Sequence, residues 1–140
     1  MEYILDTHLA FWSLYESSNV PKKVKEIIED DRNEIYISAV SIWEIATKHL
    51  KNPKVMPISG TEFYHDCLNN DYLILPMLAK DVVDYENIEI KDGSYVNKEP
   101  FDRMIIALSK HQNFLLCTCD KRMQYYDDSH IMYFERSNKE

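Results

Sequence analysis

Apolar residues are distributed along this chain in two alternating patterns. Short runs at Tyr3-Ile4-Leu5, Glu34-Ile35-Tyr36-Ile37-Ser38, Tyr72-Leu73-Ile74-Leu75-Pro76, Asn113-Phe114-Leu115-Leu116-Cys117-Thr118 and Ile131-Met132-Tyr133-Phe134 have the length and composition of buried strands. Between them the spacing turns helical. Val20, Val24, Ile27 and Ile28 recur at i, i+4, i+7 and i+8, and Phe101, Met104, Ile105 and Leu108 at i, i+3, i+4 and i+7, each set forming one core-facing stripe. A third helix is predicted over Ser41 to Leu50 and a fourth within Thr61 to Leu68, with Pro53 and Pro57 in the loop between them. Strands alternating with helices predict an α/β fold on a parallel sheet, here with five strands. The stretch from Asp84 to Lys98, with Asp84, Glu86, Glu89, Asp92 and Gly93-Ser94, reads as a surface loop, and residues 135–140 as a frayed tail. No repeat, low-complexity tract or linker divides the chain, so residues 1–140 read as one domain.

Composition narrows the chemistry. A chain of 140 residues, 45% hydrophobic, can bury roughly 68 to 70% of its unfolded surface, enough for a real core. Its 2 glycines, Gly60 and Gly93, can write neither a GxxxxGK[ST] phosphate loop nor a GxGxxG dinucleotide turn. With 24 Asp and Glu against 16 Lys and Arg, the formal charge of -8 has the wrong sign for neutralising many phosphates. A polyanionic substrate therefore needs a metal intermediary. The 3 cysteines show no disulfide framework and sit in apolar contexts, as expected of reduced thiols in the cytoplasm. Asp6 interrupts what would be the apolar core of a signal peptide, and no run reaches ~18 apolar residues, so export and membrane spanning are both disfavoured.

The informative feature is where certain acids fall. Asp6 directly follows the first strand, Glu44 lies in the first turns of the helix after the second, Asp102 in the first turn of the helix opened by Pro100, and Asp120 directly after the fourth strand. In an open parallel sheet the carboxyl ends of the strands and the helix starts share one edge, where ligands bind. Four carboxylates gathered there repel one another unless cations neutralise them. Hard divalent ions suit such ligands, since Mg²⁺ takes one or two carboxylates plus water and phosphate oxygens, and that chemistry is phosphodiester hydrolysis. Each acid also has a plain structural reading. Ser41 and Glu44 spell a capping box, Asp102 complements a helix dipole, and Asp6 and Asp120 are natural N-caps. Independent caps account for the positions but not for the excess negative charge at one edge.

The blocks Leu5-Asp6-Thr7-His8-Leu9-Ala10-Phe11-Trp12, Ser38-Ala39-Val40-Ser41-Ile42-Trp43-Glu44-Ile45, Pro100-Phe101-Asp102-Arg103-Met104-Ile105-Ile106-Ala107 and Thr118-Cys119-Asp120 occur in an order and at spacings that resemble PIN-domain nucleases, in particular VapC-type toxins of bacterial toxin-antitoxin systems. The likeness covers nearly the whole chain. It implies a three-layer α/β/α sandwich with strand order 3-2-1-4-5 and a single-strand-specific endoribonuclease dependent on Mg²⁺ or Mn²⁺. Carried over by position, the acidic quartet becomes Asp6, Glu44, Asp102 and Asp120, with Thr7 and Thr118 as the small hydroxyl positions beside the metals. It further implies a homodimer and a VapB-like antitoxin whose C-terminal segment enters the active-site groove. Two departures stand out. Asn97-Lys98-Glu99 replaces the His-x-Asp often found before Pro-Phe-Asp-Arg, and the stretch from Glu86 to Lys98 is longer and more acidic than usual.

Other candidates carry less. His8 could act as a base near Asp6, but a histidine at an element end is more often structural. His49, His65, His111 and His130 show no metal-binding spacing. Cys117 and Cys119 point to one face of a strand and read as packing, since a zinc site lacks the remaining ligands. The two tryptophans and 10 tyrosines read mostly as core or subunit interface. Arg103, Lys48, Lys51, Lys121 and Arg122 are the cations close enough in sequence to the quartet to hold an RNA backbone. Two alternatives stay open: a catalytically silent binding module on the same scaffold, and a metal-dependent DNA nuclease or phosphomonoesterase.

Overall fold

The computed structural model describes residues 1–91, 99–126 and 129–136. Residues 92–98, and with them Asn97-Lys98 and most of the acidic stretch singled out above, lie outside the described residues, as do 137–140.

The strands are β1 (Glu2–Leu5), β2 (Glu34–Ser38), β3 (Leu73–Leu75), β4 (Leu115–Thr118) and β5 (Ile131–Tyr133), and every pairing is parallel in the order β3-β2-β1-β4-β5. The helices are α1 (Thr7–Tyr15), α2 (Lys22–Glu29), α3 (Ala39–Lys51), α4 (Gly60–Asn69), α5 (Ala79–Asp84) and α6 (Pro100–Gln112). Alternation along the strands builds two cores. Ile4 and Leu116, side by side on β1 and β4, face the Met104–Leu108 stretch of α6, whereas Leu5, Ile37 and Cys117 face Leu9 and Ala10 of α1, Val24 of α2 and Phe63 and Cys67 of α4. Sheet residues buried on both sides are what make the strands read as continuous apolar runs. The result is the expected three-layer α/β/α sandwich.

Local chemistry fixes the ends of these elements. Pro100 sits at the start of α6, where its missing N–H costs nothing. Asn113 ends the helix at φ 66°, and Phe114 N–H returns to the Ser109 carbonyl at 2.8 Å, the left-handed cap of helix C-termini. The predicted fourth strand therefore starts at Leu115, because Asn113 and Phe114 are used to stop the helix. Gly60 opens α4 where a Cβ would lie 2.7 Å from Ala46 Cβ, so the start of α4 packs against α3 at a distance that only glycine allows.

Three expectations are corrected. The capping box at Ser41 and Glu44 does not form, because Ser38 is the N-cap of α3 and accepts Val40 N–H at 2.9 Å, which places Glu44 in the second turn. A capping box does form at Ser59 and Glu62 of α4, with reciprocal bonds of 3.1 and 3.0 Å. Second, the start of the predicted surface loop is structured. Asp84 closes α5, a 3-10 turn covers Tyr85–Asn87, Ile88 is buried, and Ile90 bridges Tyr126. Third, the chain is still anchored at Arg136, whose guanidinium lies 4.9 Å from the Trp12 ring.

Candidate active site

The order of the sheet decides where the site falls. From the central β1 the chain moves outward to β2 and β3, then returns to the other side of β1 for β4 and β5. The switch point lies between the carboxyl ends of β1 and β4, the place where open α/β sheets bind ligands. Asp6 directly follows β1 and Asp120 lies just past β4. Because α6 runs back toward the amino end of β4, its first turn, with Asp102, also lies at the carboxyl edge.

A chain of hydrogen bonds ties these acids together. Asp6 caps α1 by accepting Leu9 N–H at 2.9 Å, and its second oxygen accepts the Thr118 hydroxyl at 2.5 Å. The Thr118 oxygen in turn accepts Asp120 N–H at 3.0 Å. Asp120 caps the 3-10 turn Lys121–Tyr125 and receives the backbone N–H, Nε and Nη2 of Arg122 at 2.9, 3.1 and 2.8 Å. Arg122 Nη2 also stands 3.8 Å from Asp102. One guanidinium thus stands between two of the four acids and offsets part of their charge.

Glu44 lies in the second turn of α3. The Thr7 hydroxyl donates to the Ser41 hydroxyl at 2.8 Å, joining the start of α1 to α3 one turn before Glu44. Trp43 meets Phe101 of α6 with ring centroids 4.8 Å apart. Glu44 itself is only 3% exposed. Its Oε2 accepts Lys48 Nζ at 2.6 Å, while its Oε1 is buried with no hydrogen-bond partner. Among the described residues the only other such oxygen is the hydroxyl of Tyr133, level with Thr118 across β4 and β5. A buried unpaired carboxylate oxygen carries a desolvation cost of several kcal/mol unless something positive meets it.

Electrostatics separates the acids. Burial pushes the Asp6 carboxyl up from its ordinary value, with Asp120 adding to the rise against the Thr118 and Leu9 bonds that lower it. Burial also raises Asp120, but the Arg122 hydrogen bonds and charge outweigh it and hold that carboxyl low. The two acids thus differ in charge preference, Asp6 because it is buried and Asp120 because it is paired with Arg122.

Each residue expected from sequence now has a place. Asp6, Thr118, Asp120 and Asp102 form one linked row; Thr7 is bonded to Ser41, one turn before Glu44 on α3, and Glu44 itself is bonded to Lys48. Among the described residues no three carboxylate, imidazole or thiol groups are drawn into a cage for a metal, and Asp120 and Glu44 are paired with Arg122 and Lys48. The Asp6 and Asp120 caps are real, and they coexist with the row. Arg103, expected near an RNA backbone, is committed elsewhere: its Nε and Nη2 donate to the Tyr85 and Ile88 carbonyls, both at 2.9 Å, and it lies over the Tyr85 ring. Lys48 is engaged by Glu44, and Lys121 is exposed beside Asp120. Lys51 closes α3 as an exposed residue. His8 is exposed and touches Trp12 at 5.8 Å. Cys117 and Cys119 share the second core, as packing predicts, whereas Trp43 is 52% exposed rather than core. Ser41, the link between α1 and α3, reads from sequence only as half of a capping box with Glu44, a reading that misses its bond to Thr7. A larger cavity of about 690 Å³ opens among Met1, Glu2, Arg32, Asn113 and His130, but it lies at the amino ends of the strands, away from the switch point.

Comparison with known proteins agrees with this geometry. The PIN domain family model matches residues 3–129. No curated protein resembles the chain closely enough in sequence to count as a match. Among solved structures the chain is similar to VapBC2 from Rickettsia felis bound to a DNA fragment from its promoter, with 16% identity, TM-score 0.65 and 97% and 99% of the two chains covered. It is also similar to VapBC-1 from nontypeable Haemophilus influenzae, with 15% identity, TM-score 0.59 and coverage of 89% and 90%. FitAcB from Neisseria gonorrhoeae follows with 19% identity, TM-score 0.54 and coverage of 88% and 91%. Since the family model spans every strand but the last and all of the acidic row, the chain belongs to the PIN domain family.

Proposed function

We propose that this chain is a metal-dependent endoribonuclease of the VapC type, the toxic half of a toxin-antitoxin pair. The observation that carries this reading is the row at the switch point of the sheet, hydrogen-bonded from Asp6 through Thr118 and Asp120 to Arg122 and ending in an ion pair of 3.8 Å with Asp102. The buried, unpartnered Oε1 of Glu44 supports it, because that oxygen requires a positive partner. Asp6, Glu44, Asp102 and Asp120 are all-oxygen donors that fit Mg²⁺ or Mn²⁺. When bound, such ions supply Lewis acidity, activating water and neutralising charge on an RNA phosphodiester. Leu9 N–H and the Thr118 hydroxyl fix the rotamer of Asp6. The Thr7–Ser41 bond holds α3 so that Glu44 keeps its buried place. Lys121, exposed beside Asp120, is placed to meet the substrate backbone; Arg103 and Lys48 are already engaged and are assigned to structure instead.

The antitoxin partner is proposed on two grounds: two of the similar structures are VapBC complexes, and the resemblance implies an antitoxin tail in the groove. A homodimer and a cytoplasmic setting belong to the same reading. Among the described residues no helix is long and apolar enough to cross a membrane. The decisive experiment compares hydrolysis of a single-stranded RNA oligonucleotide and its 2′-deoxy counterpart with Mn²⁺, using the native chain and Asp6→Asn. Cleavage of RNA alone, leaving a 5′-phosphate and lost at least 100-fold in the variant, is expected. Undiminished cleavage by Asp6→Asn defeats the site assignment, and cleavage of the deoxy strand at equal rate defeats the RNA assignment.

A further inference from the structure

Beside Asp120 lies a hollow of about 430 Å³ walled by His8, Trp12, Asp120, Lys121, Arg122 and Arg136. Its composition runs against that of the chain. The protein carries a net charge of -8, yet this wall sets Lys121, Arg122 and Arg136 and one imidazole against a single carboxylate. Arg122 is committed to Asp120 and Asp102. Lys121 and Arg136 form no ion pair among the described residues, and Arg136 instead lies 4.9 Å from the centre of the Trp12 ring. The His8 ring meets the same indole with centroids 5.8 Å apart and planes 31° from parallel.

We infer that this hollow is a nucleotide subsite, which takes one nucleotide of a single-stranded RNA adjoining the bond to be cut, with the base on the Trp12 indole and its phosphate between Arg136 and Lys121. The inference rests on the nuclease reading and extends it to the substrate. The volume falls within the range of small-ligand sites. An indole flanked by a guanidinium is a sequence-tolerant platform, since every base offers a π-face, and arginine stacks on rings while holding phosphate. Asp120 belongs both to the hollow and to the acidic row, so a strand bound here runs directly into the site. An acidic peptide would use the two cations but leave the indole unused, so a nucleotide satisfies more of the wall.

The test uses the full chain. Binding of a labelled single-stranded RNA oligonucleotide to Asp6→Asn is measured by fluorescence anisotropy, alone and combined with Arg136→Gln or Trp12→Leu. Each added substitution is expected to weaken binding about ten-fold, and in the catalytically intact chain Arg136→Gln is expected to raise KM about ten-fold with kcat nearly unchanged. An oligonucleotide series carrying one abasic position at a time should contain a position that cancels the Trp12→Leu effect but not that of Arg136→Gln. Because Trp12 is partly buried, Arg136→Gln, at an exposed residue, decides the matter where Trp12→Leu fails to fold. A parallel arm follows the Trp12 indole N–H by NMR during titration with adenosine 5′-monophosphate or with an oligoglutamate peptide. RNA cleavage with KM and affinity unmoved by Arg136→Gln overturns the subsite and leaves the nuclease reading intact. No RNA cleavage together with a Trp12 shift on nucleotide addition upholds the subsite and fails the nuclease reading. A shift with the peptide alone, or with neither probe, overturns the subsite.

Discussion

Asp81 and Glu44 are both helical carboxylates taken almost wholly out of water, 0% and 3% exposed, yet their surroundings differ. Asp81 accepts Leu78 N–H at 2.8 Å and Gln112 Nε2 at 2.7 Å on one oxygen, and its other oxygen lies 2.6 Å from His111 Nδ1. A carboxylate can only accept, so the proton of that last bond sits on Nδ1. Every charge-bearing atom is used, and the cluster clamps α5 onto the last turn of α6. Glu44 has one lysine and one oxygen with nothing. A buried acid with a complete set of donors is a fastening. One that keeps an open oxygen has room for a further partner, as the proposed function requires of Glu44. Burial alone does not separate these roles, whereas the count of satisfied lone pairs does.

The contrast is tested most severely at Asp81. Asp81→Leu removes the acceptor shared by Leu78 N–H, Gln112 and the partly exposed His111, and we expect a loss of about 2 kcal/mol in urea unfolding with the proposed RNA-cleaving activity of the folded fraction retained. A loss below ~1 kcal/mol would erase the distinction. Glu44→Gln should do the opposite. Stability should change by less than ~1 kcal/mol, because an amide can still accept from Lys48, while cleavage falls about 100-fold. Equal effects on both quantities would make Glu44 a second fastening. The smallest effect concerns ionisable groups that burial keeps neutral. Burial raises Cys67, Cys117 and Cys119 from 9.0 to about 12 each, with Asp6 adding to the rise at the latter two. A raised thiol value favours the folded state below about pH 9, and this contribution is lost as pH climbs from 9 to about 12. Thiol titration of the native chain at pH 8 should therefore find no rapidly reacting cysteine, with all three released on unfolding. Rapid labelling of Cys119 would show that the wall beside Asp120 opens.

What the sequence made legible follows from locality. β2 is read to its exact residues from Glu34 to Ser38, and β1 and β5 to within a residue, because strands buried on both faces are apolar runs. The stripes at Val24 and Met104 identify α2 and α6 for the same reason. By contrast α1, Thr-His-Leu-Ala-Phe-Trp-Ser-Leu-Tyr, is apolar around most of its circumference and shows no stripe, and α5 spans only 6 residues, too few for periodicity. The stretch from Asp84 to Lys91 resembled a loop because its acids masked the support it receives from Arg103 through the carbonyls of Tyr85 and Ile88. The acids of the row were visible since each lies at a strand end or near a helix start. Thr7 and Thr118 came only with the family resemblance, and the bonds they make were not visible: Thr118 is 112 residues from Asp6, and Thr7 is 34 from Ser41. Side chains joined over such separations leave no spacing to detect. The Ser41-x-x-Glu44 pattern misled for a related reason, because Ser38 had already taken the cap.

The interior strands of the sheet have a mechanical consequence. Asp6 and Thr118 are carried by β1 and β4, each held between two parallel neighbours, while Asp120 stands at the head of a 3-10 turn of 5 residues. The acidic row is therefore moored firmly at one end, and any rearrangement around Asp120 falls on the short Lys121–Tyr125 turn rather than on the sheet.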